Sequence, residues 1–226
     1  MSVYITGDTH GCWSSQDAGR FTNNTFNKED ILIILGDFGF LFGDSIQTEI
    51  DRIKSFKDLV KCEILFIDGN HENFDKLKEL KILERYKGEV GKVIKGVYHL
   101  KRGEIYTIKD KTFFCMGGAE SVDKEKRIDG VTWWNEENIN YQEINNALNN
   151  FKKYGDKVDY VLTHTCPNSI IDKLYSKKYR YNDINGKVLE EFKNMLKFRY
   201  WYFGHLHTNV AFNNFYGIYT EIIKLF

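Results

Sequence analysis

Ile31-Leu32-Ile33-Ile34-Leu35-Gly36-Asp37 is the stretch whose reading decides the fold. Five consecutive large apolar residues, three of them isoleucine, read as a strand buried on both faces, as in the middle of an α/β sheet. Gly36 ends the run where a side chain would crowd the turn. Asp37 is thereby set at the strand's carboxyl edge, where open α/β sheets carry their chemistry. A carboxylate buried there is costly unless something positive meets it.

Working outward, the same strand-then-polar pattern recurs. Val3-Tyr4-Ile5-Thr6 breaks at Gly7 into Asp8-Thr9-His10. Asp8 and His10, two apart, lie on one side of an extended backbone and could grip a divalent metal at two points. Alone, such a pair is more often a polar turn. Ile64-Leu65-Phe66-Ile67 ends in Asp68-Gly69-Asn70-His71-Glu72, Asp159 to Thr163 ends at His164, and Tyr200 to Phe203 ends in Gly204-His205-Leu206-His207. Five strands thus end in ligand-type residues, consuming five of six histidines. His99, the sixth, has no ligand-like neighbour and reads as an ordinary strand residue.

Between these strands the periodicity predicts helices over 46–61 (capped by Asp44-Ser45), 73–86, 136–154 and 186–197. A meander over 93–118 carries strands at 97–100, 104–108 and 112–116, and a final strand covers 217–223. A polar loop runs from Gly117 to about Asn135. In residues 168–185, Lys173, Lys177, Lys178 and Arg180 interleave with Tyr175, Tyr179 and Tyr181, as on single-strand nucleic-acid surfaces. Such a run is more often a solvated face with snorkelling stems, so nucleic acid is an admissible partner and not the favoured one.

Composition bounds the rest. The 226 residues, 42% apolar, fit one domain spanning 1–226, with no repeat or linker. Lysine plus arginine equals aspartate plus glutamate at 32 each, which disfavours a nucleic-acid coat or a polybasic membrane binder. The four cysteines show no CxxC spacing, and Cys62 and Cys115 read as small core residues. No signal peptide is expected, since Val3-Tyr4-Ile5 is too short an apolar run, and no apolar run reaches the ~18 residues of a membrane span. A reduced, cytoplasmic protein is expected.

Oxygen and imidazole ligands without thiolate suit Mn, Fe, Zn or Ni. They are too many for one ion, whereas two divalent ions sharing a carboxylate would use them all. Two ions ~3.5–4 Å apart clamp a phosphoryl group and acidify a bridging water. The pattern therefore reads as a two-metal hydrolase.

As a set, Gly7-Asp8-Thr9-His10-Gly11, Gly36-Asp37, Gly69-Asn70-His71-Glu72, His164 and Gly204-His205-Leu206-His207 resemble, in order and end to end, the motifs of the calcineurin-like metallophosphoesterases. The resemblance implies an α/β fold of two packed mixed β-sheets flanked by helices, an αββα sandwich. It implies that Asp8, His10 and His207 hold one metal and Asn70, His164 and His205 the other, with Asp37 bridging. His71 would serve the leaving group as proton donor or transition-state stabiliser. The activity implied is hydrolysis of a phosphodiester or nucleotide-type substrate by attack of a metal-bound hydroxide. The alternatives are a protein or small-molecule phosphomonoesterase and, from another class, a silent metal-binding interaction module.

One departure matters. Where many members carry a second Asp this chain has Phe40, followed by Leu41, so the usual carboxylate partner of His71 is missing; Asp44 is a conceivable substitute. Within the Gly117 to Trp134 loop, Arg127 is the candidate phosphate contact. Trp133 or Trp134 is the candidate stacking surface for a base, unless each is a core anchor.

Overall fold

The structure is a computed structural model that describes residues 1–12, 15–23, 26–43, 45–174 and 183–226. Asp44 and the run from Tyr175 to Asn182 lie outside the described residues, and with them the Asp44 substitution and most of the lysine–tyrosine face.

Four strands, β1 (Val3–Thr6), β2 (Ile31–Leu35), β3 (Glu63–Ile67) and β6 (Val97–Leu100), run parallel. The hairpin of β4 (Lys81–Arg85) and β5 (Gly88–Ile94) extends this sheet antiparallel beside β6. At its other edge β13 (Ile222–Lys224) pairs antiparallel with β1. The second sheet has a parallel centre of β8 (Lys111–Met116), β9 (Lys157–Thr163), β10 (Lys197–Phe203) and β12 (Phe215–Gly217). Antiparallel edges, β7 (Ile105–Ile108) and β11 (Val210–Phe212), flank it.

Burial explains the run that opened the reading. Ile31, Ile33 and Leu35 pack between the two sheets with Leu65, Ile67, Phe113 and Leu162. Leu32 and Ile34 point the other way, into a core shared with Phe21 of α1 (Ser15–Thr22), Ile53 and Phe56 of α2 (Ile46–Val60), and Leu77 of α3 (Phe74–Lys78). Behind the second sheet, Phe114, Val161, Trp201 and Phe203 meet Ala147 of α4 (Tyr141–Tyr154), Ile170 of α5 (Asn168–Leu174) and Phe192 of α6 (Ile184–Met195). Two mixed sheets with helices on both outer faces make the αββα sandwich.

Several elements differ from expectation, among them the meander over 93–118, whose first strand β6 lies in the first sheet while β7 and β8 lie in the second. The helix over 73–86 stops at Lys78, and Lys81–Arg85 is a strand. Tyr86 and Lys87 both take positive φ (56° and 65°), which closes a tight hairpin onto β5, and Arg85 reaches Glu63 on β3. The helix expected from 136 begins at Tyr141, because Asn140 and Glu143 form a reciprocal capping box; Asn135–Glu137 is a separate 3-10 turn. The strand expected over 217–223 is two strands, β12 and β13, one in each sheet. Elsewhere Ser45 caps α2 by accepting from the Thr48 N–H.

Candidate metal centre and active site

Every motif residue lies just beyond the carboxyl end of a parallel strand. From the first sheet come Asp8, Asp37 and Asn70, after β1, β2 and β3; from the second come His164, His205 and His207, after β9 and β10. Backbone bonds lock these loops together. The Thr9 and His10 N–H groups donate to the Asp37 carbonyl at 3.0 and 2.8 Å, and the Gly204 N–H donates to the His164 carbonyl at 2.8 Å. Gly36 has φ +89°, and a Cβ there would run into the His164 ring; at Gly69 it would run into the Asp37 carboxylate. His10, Asp37, His205 and His207 themselves hold positive φ. Such backbone is disfavoured for these residues and persists where surrounding structure imposes it.

One donor atom each from Asp8, His10, Asp37 and His207 lies within 4.8 Å of every other. Asp8 Oδ2 and His10 Nε2 are each 3.0 Å from His207 Nε2. His10 Nδ1 is 3.8 Å from Asp37 Oδ2. The other Asp37 oxygen, Oδ1, faces a second group: it is 3.3 Å from His164 Nε2, which is itself 3.2 Å from Asn70 Oδ1. The His205 ring packs edge-on against His164 at 5.0 Å.

The chemistry of this donor set fits divalent cations. His164 Nδ1–H donates to the Leu35 carbonyl at 2.8 Å, so Nε2 is the atom aimed at two oxygens, Asp37 Oδ1 and Asn70 Oδ1. Only a positive charge, a proton or a metal, satisfies three such atoms. The pKa directions agree. Burial opposes charge on His164, but the carboxylates of Asp37 and Asp8 win and push it up to about 10. Burial and the charge of His164 push His205 down to about 3. Asp37 lies well below the carboxylate range despite its burial, held there chiefly by His164.

His71 extends beyond this cluster, its ring 5.1 Å edge-on from His10 and its backbone N–H donating to Asp37 Oδ1 at 2.8 Å. In place of a carboxylate it meets Arg127, whose Nη2 is 3.2 Å from His71 Nε2. Burial, together with Arg127, lowers the His71 pKa. Phe40 is no part of this contact. It is 2% exposed and packs against Phe38 and Phe56.

Of the two tryptophans, Trp134 is a core anchor: it is 4% exposed, and its indole N–H donates to Asp75 Oδ2 at 2.8 Å. Trp133 is half-buried with its indole nitrogen buried, and it favours the charged form of Glu137. His99 is no ordinary strand residue. Its Nε2–H donates to Asp68 Oδ1 at 2.8 Å, and Arg102 Nε donates to Asp68 Oδ2 at 2.7 Å, in a buried network. A cleft of about 1030 Å³ between the β4–β5 hairpin and α4 borders this network and lies away from the metal cluster.

Several supporting residues carried no motif signal. Asn70 Nδ2 donates to Ser121 Oγ at 3.2 Å, and that hydroxyl donates to buried Glu137 at 2.6 Å. Tyr219 stacks on His207 at 4.6 Å. Glu72 had a signal, its place in the third motif. It accepts the Phe38 N–H at 2.6 Å and the Gly39 N–H at 3.3 Å, holding the loop behind Asp37.

A two-sheet sandwich with carboxylates, an amide and imidazoles converging from five strand ends defines an α/β protein built around a candidate divalent-metal centre. Residues 1–209 match the sequence model of the calcineurin-like phosphoesterases, and the chain belongs to that family. It is 27% identical over 240 residues to the lariat debranching enzyme of Schizosaccharomyces pombe, an alignment covering 92% of this chain and 48% of that protein. The chain thus spans about half the length of that curated relative. Among solved structures it is similar to a putative 5'-nucleotidase from Staphylococcus aureus in complex with alpha-ketoglutarate, with a TM-score of 0.45 and 16% identity over 96% of this chain and 48% of that one. Among the described residues no helix is long and apolar enough to cross a membrane.

Proposed function

We propose that the chain hydrolyses a phosphodiester or nucleotide-type substrate with two divalent ions. Asp8, His10 and His207 hold one ion, Asn70, His164 and His205 the other, and Asp37 bridges them. The observation that carries this reading is the division of one carboxylate: Asp37 Oδ2 faces His10 while Oδ1 faces His164. When bound, the ions supply charge stabilisation for the phosphoryl oxygens and acidify water between them. His71 Nε2 accepts from Arg127 here; with Arg127 turned to donate to a non-bridging phosphate oxygen, Nε2 is the atom that would hold a proton for the leaving oxygen. A relative named for debranching lariats favours a diester of nucleic-acid type over a phosphoprotein. The buried thiols of Cys62, Cys115 and Cys166 are in keeping with a reducing cytoplasm.

The test pairs metal content with turnover. With manganese, the most practical of the Mn, Fe, Zn and Ni set, the wild-type chain should bind two ions and cleave bis-p-nitrophenyl phosphate faster than p-nitrophenyl phosphate. Asp37→Asn should bind fewer than two ions and fall to background, since an amide supplies no anionic bridge. Retention of two ions with a near-normal rate would sink the assignment, and faster monoester turnover would favour the phosphomonoesterase. Arg127→Ala should raise KM for the diester on the order of 10-fold, the effect of one charge-assisted bond; an unchanged KM and kcat would remove Arg127 from the site.

A further inference from the structure

Among the described residues at this site, two rings hold neither metal nor phosphate: Tyr219, one face of which is covered by His207, and Phe42. Phe42 is half-buried, with its ring centroid 6.1 Å from that of His71 and inclined at 45°. In the reading above His71 serves the leaving oxygen, so a ring beside His71 lies beside the leaving group.

Phe42 is seated firmly from behind. Trp134 meets it edge-on at 6.0 Å. Asn73 pins the backbone on either side, its N–H donating to the Leu41 carbonyl at 3.1 Å and its Nδ2 to the Phe42 carbonyl at 3.3 Å. The next residue, Gly43, is exposed, and among the described residues a Cβ there would meet nothing within 4 Å. The two tryptophans are poorer platforms, because Trp134 is enclosed and the indole nitrogen of Trp133 is buried. The loop that carries Arg127 to His71 also shows two large apolar side chains to solvent, Ile128 at 63% and Val131 at 56% exposure.

We infer that Phe42 is the stacking platform for the base of a nucleoside leaving group. The proposal rests on the phosphoesterase reading above and narrows its substrate to a phosphate ester whose departing alcohol is a nucleoside hydroxyl. The hydrolysis balances without any co-reactant beyond water: the P–O bond to the nucleoside breaks, water supplies the new P–O bond, and a proton leaves on the nucleoside hydroxyl. Stacking of a base on an aromatic side chain is worth about 1–3 kcal/mol, or roughly 5- to 150-fold.

The experiment compares a dinucleoside monophosphate with the same compound lacking the leaving-side base. The ratio of kcat/KM is taken within one preparation, so an incompletely folded variant does not distort it. Wild type should favour the base-bearing substrate by roughly 5- to 150-fold. Phe42→Leu should bring the ratio near one, and Phe42→Trp should keep or raise it. A wild-type ratio near one, or a ratio unmoved by Phe42→Leu, overturns the platform while leaving the diester reading intact. No cleavage of any diester by wild type overturns the diester reading. In that event calorimetric binding of AMP against ribose 5-phosphate repeats the comparison without turnover, and an AMP preference undiminished in Phe42→Leu overturns the platform too. Substrates extended beyond the dinucleotide then separate free nucleotides from a nucleic-acid chain as the source of the base.

Discussion

Asn70 shows how much a single side-chain orientation decides. Its amide can serve a cation only through the oxygen, and the two ends of an amide differ in charge but hardly in shape. Here the nitrogen is engaged by Ser121 Oγ, which leaves Oδ1 to face His164. Ser121 in turn is held twice by Glu137, through its hydroxyl at 2.6 Å and its N–H at 2.9 Å. Removing the hydroxyl frees the amide to rotate. Ser121→Ala should therefore weaken the ion on the Asn70 side about 10- to 100-fold, as loss of an outer-shell partner does, and leave the ion on the Asp8 side unchanged. Ser121→Thr should restore it. Isothermal titration with manganese resolves the two sites. Equal weakening of both ions, or of neither, would show that Ser121 does not orient Asn70.

At the scale of elements, legibility followed from whether one physical signal or two competed. β2 and β3 carry continuous apolar runs, residues 31–35 and 64–67, each leading into a polar cluster, a pattern with one reading. The stretch from Phe74 to Tyr86 carried both periods. Phe74 and Leu77 are spaced for a helix, but a pair of residues in left-handed backbone at Tyr86 and Lys87 makes a hairpin, and the pull of β5 on Lys81–Arg85 is tertiary. The metal ligands were legible because five short motifs agree in order. What holds them, Ser121, Glu137 and Tyr219, comes from remote loops and has no local pattern. The network of Asp68, His99 and Arg102 was invisible for the same reason. It ties the end of β3 to the turn after β6, and through the Arg102–Glu143 contact at 3.0 Å to α4. Burial lowers the His99 pKa despite the Asp68 carboxylate, so in the folded chain the ring stays neutral below its ordinary value of about 6.5. The unfolded chain takes up that proton and the folded one does not. This group's contribution is thus full above pH ~6.5 and is lost as pH falls, at up to about 1.4 kcal/mol per pH unit. His99→Gln keeps a donor toward Asp68 without titrating. Urea unfolding in chelator from pH 8 to pH 5 should show wild type losing stability more steeply than His99→Gln, and parallel curves would refute it. Asp68→Asn should cost up to about 3–5 kcal/mol at neutral pH, because it removes the buried carboxylate partner of Arg102 and leaves the cation only the partly exposed Glu143.

Across the whole molecule, the site is where the two sheets meet. Asp8, Asp37 and Asn70 belong to one sheet, His164, His205 and His207 to the other, and direct contacts already cross the seam. His164 Nε2 lies 3.3 Å from Asp37 and His207 Nε2 3.0 Å from Asp8, while the His205 N–H donates to Asp8 at 3.1 Å. Ions held by these residues would staple the layers beyond what the apolar core between them provides. The unfolded chain scatters the same ligands over some 200 residues, so it binds poorly, and metal should stabilise the fold by linkage. At 100 times Kd that amounts to about 2.7 kcal/mol per ion. For a chain of this length each kcal/mol moves Tm by about 2–4 °C, so one ion should raise it by roughly 5–10 °C. Manganese titrated into chelator-treated protein should therefore move a single calorimetric peak upward with concentration, and EDTA should return it. Asp37→Asn should show a smaller rise, because the bridge that serves both ions has lost its charge. A peak that splits on adding metal would mean that the ions stabilise one sheet without the other. A Tm that stays put while two ions bind would mean that the unfolded chain binds them equally well, and either result removes the staple.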